Sequence, residues 1–349
     1  MYTGHERMAS PENITRQPLS MARGHSVALK FDLPAKERAM HLITRSDFDG
    51  LVCAVLLNEV VRLHSIGFVH PKDVQDGKVA VTPDSILTNL PYVPGVGLWF
   101  DHHSSEETRN QLAGVKFKGR FEVAPSAARV VYNHYTSEGG GAALHKYAKL
   151  LESVDKSDAA QLSVEDVTNP SGWILLSYVM DPRTGLGYHH SFRISNRELM
   201  MHLVEAIGRN PDNPEKILQE PDVRERVDRY LAQQEAFRQT MTSRSRKDGN
   251  VIVTDLRGIG ETPTGNRFLI YTLFPEQNIQ LRIFDGKKGE FVVCALGHSI
   301  FNRTSATDVG ALMSKYGGGG HRGAGTCQVP LDRAEAVIAE IIERCKADG

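Results

Sequence analysis

The sequence predicts an α/β protein in which a parallel sheet flanked by helices comes first, a helical connector follows, and a smaller α/β unit with a mixed sheet ends the chain. Three observations carry this expectation. Between His41 and Met180, short apolar runs alternate with turn signals and apolar helical stretches at the spacing of βαβ units. Within that region the run Trp99-Phe100-Asp101-His102-His103 ends abruptly in titratable groups, as a buried strand does when it reaches the carboxyl edge of an open sheet. From Asn250 onward the pattern changes to a succession of short strand-like runs, the last two joined by a hairpin turn, which marks a second domain with its own sheet.

Length and composition set the bounds. At 349 residues the chain exceeds the size at which one core stops growing, so two domains are expected. Residues 1–38 mix charges, prolines and isolated hydrophobics and read as a disordered extension, or as upstream translation before Met21 or Met40. The expected divisions after it are a metal-binding catalytic unit over 39–190, a helical linker over 191–248 and a substrate-binding unit over 249–349. A formal net charge of −1 offers no global positive field for long nucleic acid. No apolar run approaches the ~20 residues needed to span a bilayer, so a membrane partner is not expected. The four cysteines show no CxxC spacing, which points away from zinc knuckles and disulfide scaffolds and towards a reducing cytoplasm. A homodimer is left open.

The first strand starts at His41 and runs into Arg45-Ser46-Asp47-Phe48-Asp49-Gly50, after which residues 51–63 read as a buried helix. Gly50 permits the close turn, and the helix N-terminus behind it favours an anion. Further strands are expected at Phe68-Val69, at Val79-Ala80-Val81 across a polar loop, and at Leu98-Trp99-Phe100. Pro125-Ser126 opens a helix through Val130, Val131 and Tyr135, and three glycines at 139–141 end it. The next helix, from Ala143, closes on Asp155, Lys156, Ser157 and Asp158. Ser195-Asn196-Arg197-Glu198 matches a capping box. The stretch from Asp222 to Arg244 reads as a long amphipathic helix carrying Val223, Val227, Tyr230, Leu231, Phe237 and Met241 on one stripe. Strands are then expected at Val251–Thr254, Phe268–Tyr271, Ile279–Phe284 and Phe291–Cys294, with a hairpin turn at Asp285–Gly289. A glycine-rich run, Gly317, Gly318, Gly319, Gly320, His321, precedes a last helix whose apolar face is Ala334, Val337, Ile338, Ile341 and Cys345.

Three acidic or imidazole clusters therefore fall at element ends: Asp47 with Asp49, Asp101 with His102 and His103, and Asp155 with Asp158. Oxygen donors with a minority of imidazoles suit Mn²⁺ or Mg²⁺ rather than structural zinc. A cation so held polarises phosphoryl groups and favours ionised water at neutral pH.

In these motifs and their order, over about residues 40–345, the chain resembles the DHH phosphoesterases, a family of single-strand exonucleases, nanoRNases, cyclic dinucleotide phosphodiesterases, exopolyphosphatases and pyrophosphatase relatives. Asp47-Phe48-Asp49-Gly50 is similar to the family's first motif, Asp101-His102-His103 to the one that names it, and Gly317–His321 to the glycine-rich signature of its C-terminal domain. The resemblance implies hydrolysis of phosphoester or phosphoanhydride bonds in short phosphate-rich substrates, either polyphosphate-like compounds or short oligonucleotides. It implies catalysis by Asp47, Asp49, Asp101, His102 and His103, and metal ligation by Asp47, Asp49, His102, Asp155 and the residue at Asn89. Substrate phosphate would meet Arg45, Arg303, Gly318, Gly319, Gly320 and His321. Manganese is the expected ion, with magnesium second.

Two positions depart from the family pattern. Arg45 stands where His or Asp is common, and a guanidinium has no lone pair for a cation. Asn89, with Asp84 as the alternative in another register, stands where a bridging aspartate is usual. These departures suggest one ion, held by Asp49, His102 and Asp155, with Arg45 supplying the second positive charge directly to phosphate. The competing expectation is a protein that keeps the fold, binds a phosphate ligand for regulation, and no longer turns it over. His189, His190 and Arg193 are weaker cleft candidates. Tyr188, Tyr271, Phe274 and Phe301 are weaker platforms for a base.

Overall fold

The computed structural model describes residues 39–103, 115–189 and 191–349. Its first sheet joins β1 (Met40–Arg45), β2 (Leu63–Val69), β3 (Ser85–Thr88), β4 (Leu98–Asp101) and β5 (Gly119–Phe121). All pairings are parallel, in the order β2-β1-β3-β4-β5. Leu42, Ile43, Ile86, Leu87, Trp99 and Phe100 are buried on alternating sides of these strands, so both faces of the sheet are covered. Helix α1 (Phe48–Val60) is buried from Phe48 to Leu57 and forms the hub of the main core. From β1 the chain crosses to β2 on one side, whereas β3 to β5 build outward on the other. The carboxyl ends of β1 and β3 thus frame the crevice where the winding direction reverses, the place at which open α/β sheets bind ligands.

Helix α2 (Pro71–Gln75) leads from β2 towards β3. After β5 come α3 (Ala127–Ser137), α4 (Ala148–Asp158), α5 (Val164–Thr168) and α6 (Gly172–Met180). The expected capping box is present: the Ser195 hydroxyl accepts from the Glu198 N–H and the Glu198 carboxylate accepts from the Ser195 N–H, opening α7 (Asn196–Arg209). A short α8 (Pro214–Leu218) precedes the long α9 (Pro221–Ser243). Its buried face carries Val223, Val227, Tyr230, Phe237 and Met241, but Leu231 is exposed. Fully buried Arg226 takes part in that face too: its guanidinium donates to the carbonyls of Asp222 and Ile194.

The second sheet runs β10-β11-β9-β8-β7-β6 and is mixed, β7 and β8 being its parallel pair. Its strands are β6 (Ser245–Asp248), β7 (Val251–Asp255), β8 (Ile279–Asp285), β9 (Phe291–His298), β10 (Gly319–His321) and β11 (Ala324–Pro330). Helices α10 (Ile270–Leu273), α11 (Val309–Ser314) and α12 (Ala334–Asp348) complete the chain. The predicted apolar face of α12 is buried as expected, and all four cysteines are free and buried.

Two predicted strands do not form. Val79–Val81 is irregular, and the sheet position goes to β3, whose four residues are all buried. Residues 268–271 fold into a 3₁₀ turn and α10 instead of a strand, because the Asn266 side chain caps the Phe268 N–H and starts a helical turn. A short apolar run has the same composition in either state, so tertiary packing decides. The expected 1–38 extension lies outside the described residues.

Candidate active site and metal centre

Helix α1 begins on Asp47, whose carboxylate accepts from the Gly50 N–H at 3.0 Å. A Cβ on Gly50 would stand 2.0 Å from the Arg45 carbonyl oxygen, so only glycine allows this turn to close. Asp47 is further engaged by the Arg45 guanidinium at 2.8 Å and by the Asn89 amide N–H at 3.1 Å. Asn89 sits just past β3 in a left-handed conformation that asparagine tolerates better than most residues.

One residue into α1, Asp49 points the other way and is 2 % exposed. Its oxygens accept from the N–H groups of Ala127 and Ala128 at 2.9 and 2.8 Å, at the N-terminus of α3, where backbone donors and the helix dipole favour a carboxylate. Burial, then the Asp158 and Asp47 carboxylates, push its pKa well up, against the pull of those two N–H groups.

His102 follows directly on β4. Its Nδ1 lies 2.9 Å from the Ala124 carbonyl, which can only accept, so Nδ1 carries the proton and Nε2 keeps its lone pair. That Nε2 is buried without a hydrogen-bond donor and faces Asp158 Oδ2 at 3.3 Å and Asp49 Oδ2 at 3.9 Å. Burial raises the Asp158 pKa, with His102 opposing and Asp47 adding to the rise. A lone pair flanked by two carboxylate oxygens, with the other ring nitrogen fixed by a carbonyl, is the donor set of a divalent cation site. The Asn89 Oδ1 and Asp101 Oδ2 atoms are likewise buried and unpartnered among the described residues. The residues present therefore fit a divalent cation.

His103 turns towards Asp101, with Nδ1 at 2.8 Å from Oδ1. Burial disfavours its charge, but the Asp101 hydrogen bond and the Asp101 and Asp158 charges prevail and raise its pKa to about 9, with Arg45 opposing.

Asp158 takes the place expected for Asp155. Three positions earlier on α4, Asp155 faces away from the cluster: it accepts from Arg129 Nε at 2.8 Å and from the Ser126 hydroxyl at 2.7 Å, locking α4 to the start of α3. The reason is helical geometry. Residues three apart differ by about 60° around the axis, and only the last residue of α4 reaches the sheet edge.

Asp47, Asp49 and Asp158 line a solvent-open cleft of about 450 Å³. Further along its lining lie Tyr178, Asp181, Arg183, Arg267 and Phe268. Asp181 accepts from Arg183 Nε at 2.7 Å through one oxygen and from Arg267 at 2.7 Å through the other, joining the loop after α6 to the turn before α10. Burial opposes ionisation of Asp181, yet the two guanidiniums hold it down at about 2. These residues escape sequence reading because the 181–195 stretch has no periodicity and Arg267 borders a run that reads as a strand. The Asp181-Pro182-Arg183-Thr184-Gly185 turn signal after an apolar helix is the available hint.

The glycine-rich run also reaches this neighbourhood. Burial, then the charges of His103 and His298, lower the His321 pKa, which places the His321 ring within electrostatic reach of His103. Its Nδ1 accepts from the Gly323 N–H at 3.1 Å, leaving Nε2 as a donor. A Cβ on Gly318 or Gly320 would stand 2.0 Å from the Thr326 carbonyl oxygen or 2.2 Å from that of Ala324. Glycine is therefore required there by the β10–β11 hairpin itself; Gly319 has open space instead. Arg303, expected to meet phosphate, donates to the Ile300 and Ala160 carbonyls at 2.9 and 2.7 Å and so ties the two halves of the chain together. Tyr271, Phe274 and Phe301 do not line the cleft; Phe48, Tyr178 and Phe268 do. His189 contacts Arg229 at 2.8 Å on α9, and Arg193 pairs with Asp222. The Tyr188 side chain and His190 lie outside the described residues.

An α/β unit whose parallel sheet is covered on both faces, with carboxylates and an imidazole gathered at its switch point and arginines lining the same cleft, defines a phosphate-handling protein. In sequence and fold the chain is similar to a pGpG-specific phosphodiesterase, PggH from Vibrio cholerae: 43% identity over 89% of this chain and 100% of that one, with a TM-score of 0.76. The chain belongs to the DHH family of phosphoesterases. Fainter likenesses are to the DHH domain of a protein from a ribosomal-protein family (12% identity, 89% and 88% covered, TM-score 0.49) and to Mn²⁺-bound RecJ from Thermus thermophilus (12%, 89% and 53%, 0.46). No family model and no curated protein matches the chain.

Proposed function

We propose that the chain is a divalent-metal-dependent phosphodiesterase that cleaves short linear oligonucleotides, with a dinucleotide such as pGpG as its principal substrate. The observation that carries this is the buried His102 Nε2 lone pair between Asp49 and Asp158, two carboxylates that line the same cleft as the Arg183 and Arg267 guanidiniums. The 43% identity to a pGpG-specific enzyme, spanning its whole length, supports the substrate class. A cation bound by Asp49, His102 and Asp158 supplies Lewis-acid polarisation of the phosphoryl group and a supply of ionised water at neutral pH. Mn²⁺ is the favoured ion on donor chemistry, with Mg²⁺ as the alternative.

The chain's own residues do the rest. Asp47 accepts from Gly50 and Asn89 through one oxygen and pairs with Arg45 through the other, so it fixes the turn and holds the Arg45 guanidinium. Arg45 offers phosphate a permanent charge where relatives of this family place a metal ligand, which favours one ion over two. His103, kept protonated by Asp101, is the donor for the leaving oxygen.

The test is product analysis with Mn²⁺ or Mg²⁺ on pGpG, a longer oligonucleotide, a cyclic dinucleotide, polyphosphate and pyrophosphate, beside Asp49→Ala and His102→Ala. Mononucleotide release from pGpG, lost in both variants, is expected. Binding without turnover under every ion would return the protein to a regulatory role, and turnover indifferent to both substitutions would displace the assigned site.

A further inference from the structure

The two guanidiniums that line the cleft are arranged for an anion of their own. Asp181 acts as a splint: one oxygen accepts from Arg183 Nε and from the Arg183 backbone N–H at 2.8 Å, and the other accepts from Arg267. Arg267 is fixed a second time by lying over the Phe268 ring, 4.1 Å from its centroid. Each guanidinium thus uses one side on Asp181, and the terminal amines of Arg183 and the Nε of Arg267 have no hydrogen-bond partner among the described residues. Two guanidiniums against the one carboxylate they share leave a local surplus of one, beside Tyr178 and Phe268 in a cleft whose other carboxylates, Asp47, Asp49 and Asp158, belong to the metal-binding cluster. Such a fork, oriented by Asp181, matches phosphate oxygens bidentately. Asp47 and Asp158 also act on Arg183, so the fork and the carboxylate–imidazole cluster share one continuous surface.

We propose that Arg183 and Arg267, splinted by Asp181, take the terminal phosphate monoester of a 5′-phosphorylated dinucleotide whose internucleotide phosphate lies at Asp49, His102 and Asp158. This rests on the phosphodiesterase reading above. A monoester carries close to two charges at neutral pH and three free oxygens, against one charge and two oxygens for an internal diester, so the fork selects chain ends. It gives the enzyme a ruler: a substrate one linkage long, with a phosphate at its end, fills both positions at once. Cyclic dinucleotides, which have no monoester, leave the fork empty.

The experiment compares kcat/KM for a linear dinucleotide with and without its 5′-phosphate, in the wild-type protein and in Arg183→Gln, Arg267→Gln and Arg183→Lys, with thermal melts to confirm folding. The ratio of the two kcat/KM values is expected to exceed about tenfold in wild type and to fall about tenfold in each Gln variant, with Arg183→Lys between, since each substitution removes charge-assisted bonds made to one substrate only. A merely structural staple would lower both substrates together and leave the ratio unmoved, which overturns the proposal, as does a wild-type ratio near one. Failure to cleave either dinucleotide under any divalent ion would instead remove the phosphodiesterase reading itself, and the fork's assignment with it.

Discussion

Asp158→Asn and Asp155→Asn are nearly identical changes one helical turn apart on α4, and the structure assigns them opposite consequences. Asp158 faces His102 Nε2 at 3.3 Å, so the amide replaces a charged donor by a neutral one in a three-donor set. Even outer partners of metal ligands are worth 10- to 100-fold in affinity, so loss of a charged ligand is expected to weaken Mn²⁺ binding by about 100-fold or more. At a Mn²⁺ concentration 100 times the wild-type Kd, the ion stabilises the fold by about 2.7 kcal/mol, and this falls to about 0.4 kcal/mol when Kd rises 100-fold. Asp155→Asn leaves the metal response whole but removes the charge that pairs with Arg129 and one of the two oxygens that accept from Arg129 and the Ser126 hydroxyl, at a cost of about 1–3 kcal/mol in the absence of metal. Melting each protein with and without Mn²⁺, together with calorimetric Mn²⁺ titration, separates the two effects. Retention of the Mn²⁺-induced shift in Asp158→Asn, together with its loss in Asp155→Asn, would refute the ligand assignment.

Elemental analysis of the Mn²⁺-loaded protein is expected to find one tightly held ion per chain, because Arg45 and Asn89 occupy positions where a second set of anionic donors would be needed; two ions would remove that reading. In metal-free protein, His103 is expected to titrate near pH 9 by NMR, and its pairing with Asp101 stabilises the fold fully below about pH 6.5 and is lost as pH rises through 9. The wild-type stability advantage over His103→Gln should shrink across that window, and a constant difference from pH 6 to pH 10 would contradict it. Gly320→Ala forces a Cβ to within 2.2 Å of the Ala324 carbonyl oxygen, so the β10–β11 hairpin must deform; KM for the dinucleotide should rise while the Mn²⁺ affinity stays put. Coupled loss of both would mean that the hairpin also supports the metal centre.

Much of this was legible along the chain. Asp47, Asp49, His102 and His103 could be named from the letters because each follows an apolar run that has only one way to be buried, and a strand's last residues emerge at one edge of a parallel sheet. The capping box at Ser195 and the apolar face of α12 were equally local, set by spacings of three and four residues. Asp155 and Asp158 could not be told apart on that basis. Both are carboxylates in the last turn of one helix, and which faces the cleft depends on how α4 rolls against α3 through Arg129 and Ser126, contacts 26 and 29 residues distant. Arg267 was hidden for a similar reason. An apolar tetrapeptide after it reads as a strand until Asn266 caps a helical turn, and its partner Asp181 lies 86 residues earlier. The sequence by itself thus determined the elements, the switch-point crevice and the kind of chemistry, since these follow from periodicity and from where strands end. Only the tertiary structure decided which acid faces the His102 imidazole and which arginines line the cleft, because those choices are made by packing between segments that no local pattern couples.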